Sequence, residues 1–355
     1  MATREVTTVL GPVPAAALGP TMVHEHVFFD LSCYFSQSDD DPDGSLAAAP
    51  VTPERRWWLL SHPMNSRDNL VHDHLETAVA EVGAFAAAGG GTLVDVTTVG
   101  IAPHPLGLAA VARRTGVHVV AGTGFYTGAS YAARFGDWSV EQFAGHMRRE
   151  LEEGIGGTSV RAGLIGELGV GNPPMPVERR VIAAAARLQR ERGCAVTLHP
   201  GWGPGGALLA ARVAEDAGLD PRRTSISHLD NRFRDDVTLF TALAARGFFL
   251  HLDCFGRELY YPHVNEQLPS DADRIRVLLG VLDAGYADRL LLAQDICFKH
   301  ELVCQGGHGY AYVLRSIRPR FLRSGIPPAA IDAMLVDNPR TWLIGEGAPT
   351  ESDPA

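Results

Sequence analysis

Short apolar runs alternate along the chain with longer stretches in which apolar residues recur at helical spacing. Each run is followed by turn residues and then by a helical stretch, so the pattern predicts alternating strands and helices. The eight predicted strands cover residues 21–29, 92–97, 117–122, 160–165, 195–199, 224–228, 248–252 and 290–293. The eight predicted helices cover residues 72–88, 106–115, 140–153, 177–192, 206–217, 234–246, 271–284 and 310–324.

Eight such alternations favour an α/β fold of the (β/α)8 TIM-barrel type over a doubly wound sheet, and 355 residues suffice for a barrel with insertions. No GxGxxG or P-loop motif opens the first helix, which removes the main nucleotide-binding folds. The glycines at 89–91 precede a strand and are interpreted as a helix stop. We expect one domain over residues 1–346 and a frayed tail over residues 347–355.

Residues 36–69 interrupt the alternation and are predicted to form an inserted loop with a short helix, after the first strand and over the carboxyl-terminal mouth of the barrel. The acidic run at 39–43 lacks the glutamate that completes a calcium loop, so we interpret it as a solvated turn. Trp57 and Trp58 could cap a substrate pocket or pack the insertion, and the sequence leaves both open.

Composition and charge limit the possible partners. Hydrophobic residues make up 46% of the chain and charged residues 20%, as in a soluble globular protein. A net charge of -10 argues against nucleic acid or an anionic membrane as a partner. We expect a cytoplasmic protein, since no apolar stretch has the length of a signal peptide or membrane span. The five scattered cysteines are interpreted as reduced, buried thiols.

The pair His24 and His26 lies at the end of the first apolar run. Residues i and i+2 of a strand point to the same face, so both imidazoles can bind one metal ion from a rigid platform. Two histidines that only form hydrogen bonds would give the same pattern, and the pair alone does not separate these two interpretations.

Further histidines and carboxylates stand at the predicted carboxyl ends of other strands, where the active sites of parallel barrels lie. Each of them alone could be a buried hydrogen-bonded histidine or an ion-pair partner. Together they predict a metal centre. The predicted ligands are His24, His26, Glu167, His199, His228 and Asp295.

Two divalent cations about 3.5–4 Å apart need an anion between them to offset their repulsion, and Glu167 is the predicted bridge. We expect Zn²⁺ at both positions, although Mn²⁺, Co²⁺ and Ni²⁺ accept the same ligands. A hydroxide shared by the two ions is the expected nucleophile, and Asp295 the catalytic residue that takes its proton. The expected ligands are His24, His26 and Asp295 for one ion, and His199 and His228 for the other.

Several longer motifs support this centre. They are Thr8-Val-Leu-Gly-Pro, Gly19-Pro-Thr-Met-Val-His-Glu-His, Gly163-Leu-Ile-Gly-Glu-Leu-Gly, Leu198-His-Pro-Gly, Ser227-His-Leu-Asp, Gln294-Asp-Ile, Gly306-Gly-His-Gly-Tyr and Asp337-Asn-Pro-Arg-Thr-Trp-Leu. With them the chain resembles the amidohydrolase superfamily, and within it the phosphotriesterase family, over residues 7–345. Many members of that family bridge their metals with a carboxylated lysine, whereas this chain has Glu167 there and a single lysine, Lys299, after the eighth strand. The glutamate resembles the phosphotriesterase-related branch.

The resemblance implies a binuclear hydrolase that cleaves a small amide, such as an N-acyl amino acid or an N-acyl taurine. A lactone or phosphoester could be cleaved by the same centre, so this possibility stays open. The chain could also be a mononuclear metal-dependent lyase or isomerase, or a catalytically silent binding protein. The resemblance also implies a homodimer that acts on a small-molecule substrate.

Four residues in the loops after the strands are candidates for substrate binding. Tyr126 could donate a hydrogen bond to the substrate carbonyl or simply pack, and Arg257 could bind a carboxylate or sulfonate or form a surface salt bridge. Trp202 stands where vertebrate members of the branch carry an arginine, so an N-acyl taurine need not be preferred. His308, together with Tyr310, could line the mouth of the site.

Three further polar residues are given supporting roles. Asp230, two residues after His228, is a candidate for orienting a residue that in turn contacts a metal ligand. His251 and His300 are expected to be structural.

Overall fold

A parallel sheet forms the centre of the computed structural model, which describes residues 4–203, 205–231 and 237–345. Each strand pairs in parallel with the next one along the chain. The strands are β1 (Thr21–Glu25), β2 (Thr92–Asp95), β3 (His118–Thr123), β4 (Leu164–Val170), β5 (Val196–Pro200), β6 (Thr224–Ile226), β7 (Phe249–Leu252) and β8 (Leu290–Leu292).

Backbone and side-chain hydrogen bonds bring β8 back to β1. The amide of Asp295 donates to the carbonyl of His24 at 3.2 Å. The buried carboxylate of Glu25 accepts from the amides of Gln294 at 2.8 Å and Ile296 at 3.0 Å. These contacts close the sheet, so the predicted (β/α)8 barrel is confirmed.

Helices surround the barrel and account for the predicted alternation. Those between the strands are Leu75–Ala87, Pro105–Thr115, Gly128–Phe135, Val140–Glu152, Pro176–Arg192, Gly206–Ala217, Thr238–Ala244 and Asp271–Asp283. After β8 the chain forms π-helical turns at Val313–Ile317 and Ala333–Asp337 and α-helices at Arg318–Arg323, Pro328–Asp332 and Asn338–Ile344. The predicted helix 310–324 is therefore a π-helical turn followed by a shorter α-helix. Of the predicted helix 234–246, residues 234–236 lie outside the described residues.

The fourth strand differs from its prediction. It spans Leu164–Val170 rather than residues 160–165, because the amide of Ala162 donates to the carbonyl of Glu150 at 2.9 Å, a residue of the preceding helix. Glu167 consequently lies inside the strand rather than after it. Its side chain still points into the carboxyl-terminal half of the barrel, as the contacts below show.

Apolar side chains fill the lower part of the barrel. Val23, Val94, Val120 and Leu291 belong to one buried cluster inside the strands, and Trp342 closes it from below. The indole Nε1 of Trp342 donates to the carbonyl of Val196, at the start of β5, at 3.4 Å. The charged cluster described below stands at the opposite, carboxyl-terminal end of the strands.

The insertion at residues 36–69 folds over the mouth as short helical turns, among them Ser45–Ala48 and Arg56–Leu59. The Arg56 guanidinium donates to the carbonyl of His300 at 2.8 Å, and the Lys299 ammonium lies 2.5 Å from Asp68. These contacts attach the insertion to the loop after β8.

Asp41 of the acidic run and Trp58 have structural roles in the insertion. The Asp41 carboxylate accepts from the amides of Leu46 at 3.1 Å and Ala47 at 2.7 Å, so it caps a helix. Trp58 is buried and its ring stacks 3.5 Å from that of His62, whereas Trp57 is 67% exposed. Neither tryptophan lines the cavity described below.

The five cysteines are free thiols, as expected. Of the five, Cys254 is buried as expected, and Cys194 and Cys297 are half-buried. The expectation of burial is wrong for Cys33 and Cys304, which lie in short turns at the surface and are exposed. Within the described ranges, no helix combines the length and apolar character needed to cross a membrane.

Candidate metal centre

Glu167 on β4 lies among four imidazoles contributed by β1, β5 and the end of β6. Its Oε1 is 3.3 Å from His26 Nε2, and its Oε2 is 3.3 Å from His24 Nε2. The same Oε2 is 2.9 Å from His199 Nδ1 and 3.7 Å from His228 Nε2. One carboxylate thus contacts two pairs of rings.

Asp295, three residues after β8, completes the cluster on the side of the first pair. Its Oδ1 lies 3.4 Å from His26 Nε2 and 3.7 Å from His24 Nε2. On the other side, His199 Nδ1 and His228 Nε2 are 2.9 Å apart. The structure therefore brings all six predicted ligands together. Asp295 also approaches the second pair, because its Oδ2 lies 3.7 Å from His228 Nδ1.

Two residues of the cluster have unusual backbone conformations. His228 and Asp295 have φ angles of 57° and 53°, in the left-handed region that few residues other than glycine adopt. Such conformations cost about 1–3 kcal/mol each and persist only where the surroundings hold them. The amide of His228 donates to Asp253 Oδ1 at 3.0 Å, which provides part of that support.

The imidazole nitrogens that face away from the cluster are hydrogen-bonded by neighbouring strand ends. Ser227 Oγ lies 3.0 Å from the Nδ1 of His24, and Thr97 Oγ1 lies 2.9 Å from the Nδ1 of His26. Asp253 Oδ1 lies 3.1 Å from His228 Nδ1. Such partners fix the orientation of a ring and leave its other nitrogen free for a metal.

The charged groups of the cluster depend on one another. Burial opposes ionisation of Glu167, but the surrounding imidazoles hold the pKa of its carboxyl well below the usual range. Burial also opposes protonation of His26, yet the Asp295 and Glu167 carboxylates raise its pKa to about 10. Asp295 is buried as well, and Arg257 lowers its pKa to about 2. Two ionised carboxylates thus favour positive charge here, from protons or from metal cations.

The donor atoms fit a pair of divalent cations. They form two groups that share Glu167, one with His24 and His26 and one with His199 and His228, and within each group they lie within 4.8 Å of one another. The Nε2 of His24 is buried and, among the described residues, has no hydrogen-bond partner. Imidazole with carboxylate is a donor set that zinc and related divalent metals accept.

A cavity of about 60 Å³ opens above the cluster. Three of the four predicted substrate-binding residues, Tyr126, Trp202 and Arg257, line it. The Tyr126 ring lies 5.0 Å from that of His199, next to the predicted metal ligands. The Trp202 ring packs 5.1 Å from that of Tyr261.

Arg257 does not form the surface salt bridge that the sequence left open. It is 3% exposed, and its Nη1 donates to Asp295 Oδ2 at 2.5 Å. Its Nε and Nη2 donate to the two oxygens of Glu301 at 2.8 and 2.9 Å. The guanidinium is therefore paired with two buried carboxylates, because it lies between the loops that follow β7 and β8.

Neither His308 nor Tyr310 is among the residues that line the cavity. The His308 ring packs 5.3 Å from that of Tyr312. Its contact with substrate stays a prediction. Tyr310 is buried, and its hydroxyl donates to the carbonyl of His26 at 2.8 Å, so it supports the first metal-ligand pair.

The sequence profile of the Phosphotriesterase family matches residues 4–343. The chain belongs to the phosphotriesterase family. This confirms the resemblance drawn from the motifs, and the family is one of metal-dependent hydrolases. The protein is therefore a hydrolase of the phosphotriesterase family.

Individual members of the family match almost the whole chain. An N-acetyltaurine hydrolase from Salmo salar is 37% identical over 343 residues, which cover 96% of this chain and 97% of the relative. A resiniferatoxin-binding protein from Rhodobacter sphaeroides superposes with a TM-score of 0.92 at 37% identity, covering 96% of this chain and 94% of that one. A mutant PTE-like lactonase from Deinococcus radiodurans gives a TM-score of 0.73 at 30% identity and covers 96% of this chain and all of its own.

Sequence reasoning missed the residues that support the ligands in this phosphotriesterase-family barrel. Thr97 follows β2, Ser227 follows β6 and Asp253 follows β7, so all three stand at the same carboxyl-terminal edge as the ligands. That position was the signal by which they could have been found. Asp230, by contrast, accepts from the amides of Asp253 at 3.3 Å and Cys254 at 3.0 Å, so it supports a histidine partner rather than a ligand itself.

Proposed function

We propose that the protein is a binuclear metal-dependent amide hydrolase that cleaves a small anionic N-acyl compound, an N-acyl amino acid or N-acyl taurine. The observation that carries this proposal is the position of Glu167, which contacts two pairs of imidazoles with one carboxylate. If the two pairs of histidines bound two ions far apart, each ion would need a carboxylate of its own. The shared carboxylate supports two neighbouring ions instead.

In this proposal His24, His26 and Asp295 would hold one divalent ion, His199 and His228 would hold the other, and Glu167 would serve both. Such ions lower the pKa of water and polarise a carbonyl oxygen, so that hydrolysis proceeds at neutral pH.

The chain's own groups position the substrate and move the proton. Asp295 presents Oδ1 to the cluster while Arg257 holds Oδ2, so Oδ1 is placed to accept the proton of the attacking water. Tyr126 lies at the cavity wall with a hydroxyl whose pKa burial raises well above its usual value. A neutral phenol is a hydrogen-bond donor, and we assign it to the substrate carbonyl.

The choice of an amide is supported by the glutamate bridge and by the relative from Salmo salar, which is an N-acetyltaurine hydrolase. The cavity of about 60 Å³ is consistent with a short acyl group. Trp202 places an indole, not a cation, at the cavity wall. We therefore propose N-acyl amino acids alongside N-acyl taurines.

Hydrolysis of a lactone or phosphoester is the second candidate, and the structural match to a PTE-like lactonase favours it. The same metal ligands would support cleavage of either bond, so only the residues that line the cavity distinguish the two candidate functions. A mononuclear lyase or isomerase is less favoured, because Glu167 belongs to two groups of candidate ligands, one with His24 and His26 and one with His199 and His228.

The substrate assignment is tested by kcat/KM on N-acetyl amino acids, N-acetyltaurine, γ- and δ-lactones and a phosphotriester, at equal metal loading. We expect the amides to give the highest values. Higher values on lactones would replace the amide assignment with the second candidate. Metal analysis of the same protein tests the ion count, and about one ion per chain would contradict the binuclear proposal.

We also propose Zn²⁺ as the resident metal, a homodimer as the assembly and the cytoplasm as the location. The imidazole-rich ligand set supports zinc. The net charge of -10 supports a small-molecule substrate over nucleic acid or membrane. Sedimentation of the purified protein tests the dimer.

A further inference from the structure

Asn231 places an unpaired amide oxygen at the wall of the cavity. The residue ends the short turn Leu229–Asn231 that follows β6, three residues after His228. Its side chain is only 9% exposed and lines the same cavity as Glu167 and His199. Among the described residues, its Oδ1 has no hydrogen-bond partner.

The contrast with Arg257 shows why this amide matters. Arg257 lines the same cavity, but its donors are directed to Asp295 and Glu301. Few of its N–H groups remain free to donate a hydrogen bond to a ligand. The Oδ1 of Asn231 is an acceptor that the described part of the protein does not satisfy.

A buried acceptor without a partner is unfavourable, so a ligand that supplies a donor is favoured over one that does not. A secondary amide carries an N–H beside its carbonyl carbon. A lactone or an ester of the same shape carries an oxygen there, whose lone pairs would face the Asn231 oxygen. Sites built around a hydrogen bond strongly reject analogues that lack it.

We infer that Asn231 Oδ1 accepts the N–H of the scissile amide and so makes the site select amides over isosteric esters. This inference rests on the proposed function and deepens it. Asn231 and His228 line the same cavity, so a substrate whose carbonyl meets the cluster has its N–H within the cavity that holds the Asn231 amide. Recognition of the N–H and attack on the carbonyl then involve adjacent atoms of one substrate.

A matched pair of inhibitors tests the hydrogen bond directly. A phosphonamidate and a phosphonate ester of the same N-acyl amino acid skeleton differ only by NH against O. We would measure both dissociation constants by calorimetry on the metal-loaded protein, on Asn231→Leu and on Asn231→Asp. For the unmodified protein we expect the phosphonamidate to bind at least about 10-fold more tightly, since a factor of ten corresponds to ~1.4 kcal/mol.

The variants give opposite expectations. Asn231→Leu has a similar volume and no acceptor, so the preference should fall to within about threefold, that is ~0.65 kcal/mol or less. Asn231→Asp keeps an acceptor and should keep the preference. Met64→Leu, a change in an apolar residue of the same cavity wall, serves as the control and should also keep it. If the leucine variant does not fold, Asn231→Ala removes the acceptor in the same way.

The inference is overturned if the unmodified protein shows no preference for the phosphonamidate, or if Asn231→Leu keeps that preference in full. Metal analysis of each variant, with an unchanged ion count expected, separates loss of the hydrogen bond from loss of metal. A failure of the proposed function would appear differently, as absence of amide turnover by the unmodified protein. The ratio of the two dissociation constants reports on the Asn231 hydrogen bond whether or not the unmodified protein turns over amides.

Discussion

Arg257 holds Asp295 at two points. Its Nη1 donates to Oδ2 of the carboxylate at 2.5 Å, and its Nη2 donates to the main-chain carbonyl of the same residue. The opposite side of the guanidinium is bound by Glu301. This arrangement leaves Oδ1 of Asp295 directed at His26, and it fixes the residue in its left-handed backbone conformation.

Replacing Arg257 with methionine should destabilise the protein by about 3–5 kcal/mol, since it leaves buried carboxylates without their cation. Arg257→Lys should recover only part of this, because an ammonium cannot reach both carboxylates as a planar guanidinium does. Urea unfolding of the purified variants measures the effect. As a control, Arg114→Met removes an exposed pair with Glu76 and should leave the unfolding midpoint unchanged. An equally small effect at Arg257 would contradict the role assigned to it.

Asp295→Asn should lower kcat by about 100- to 10,000-fold, because the amide can no longer accept a proton from the attacking water. Its oxygen still faces the cluster, so metal content should change much less. Steady-state kinetics and metal analysis of the same preparation check both statements. Unchanged turnover would remove Asp295 from proton transfer.

Glu167→Gln should lower the metal content from about two ions to one or fewer per chain. The change keeps the size of the side chain but removes the charge that offsets repulsion between neighbouring cations. Metal analysis after dialysis is the measurement. Glu178→Gln is the matched control. Glu178 is also buried, but it lies on a helix outside the cluster and accepts hydrogen bonds from the amides of Gly128 and Gly171. Two ions retained in the Glu167 variant would exclude the bridge.

The buried imidazole of His300 should cause the free energy of unfolding to fall at acidic pH. Burial lowers its pKa from 6.5 to about 3, and its Nδ1 lies 2.9 Å from Asn69 Oδ1. The unfolded chain therefore takes up a proton below pH 6.5 while the folded chain does not. Its stabilising contribution is complete above pH 6.5 and is lost as pH falls towards 3.

The measurement is the free energy of unfolding as a function of pH, for the unmodified protein and for His300→Gln. We expect a smaller loss of stability between neutral pH and about pH 5 in the variant, since one proton-uptake site of the unfolded chain is removed. His118→Gln, at a partly exposed position, should keep the original slope. The same slope in the His300 variant would show that other groups carry the dependence.

The fold was predictable because strands buried on both faces appear as uninterrupted apolar runs. β7 and β8 were found within a few residues of their limits for that reason. The helix Asn338–Ile344 was missed, since its apolar residues close the bottom of the barrel rather than continue the alternation. Residues 160–163 were assigned to the fourth strand because they run directly into its apolar residues, although the amide of Ala162 bonds to Glu150 of the preceding helix.

The ligands were predictable for a different reason, namely that barrels direct the carboxyl ends of all strands to one edge. That rule identifies chemistry-bearing residues but not which of them face each other. Arg257 could not be paired with Asp295 from sequence, because 38 residues separate them. Asp253 was likewise overlooked, since an aspartate after a strand has no pattern that distinguishes a histidine partner from a turn residue.

Asp253→Asn should lower the affinity for the metal of His228 by about 10- to 100-fold, the usual effect of removing a carboxylate that orients a ligand histidine. Asp253 lies 3.1 Å from His228 Nδ1 and 3.4 Å from His24 Nδ1, so the neutral side chain weakens the orientation of both rings. Competition with a chelator of known affinity measures the change. Asp41→Asn, a buried carboxylate that caps a helix of the insertion, is the control and should leave metal affinity unaltered. Equal affinities for the Asp253 variant and the unmodified protein would show that Ser227 and the backbone suffice to position these rings.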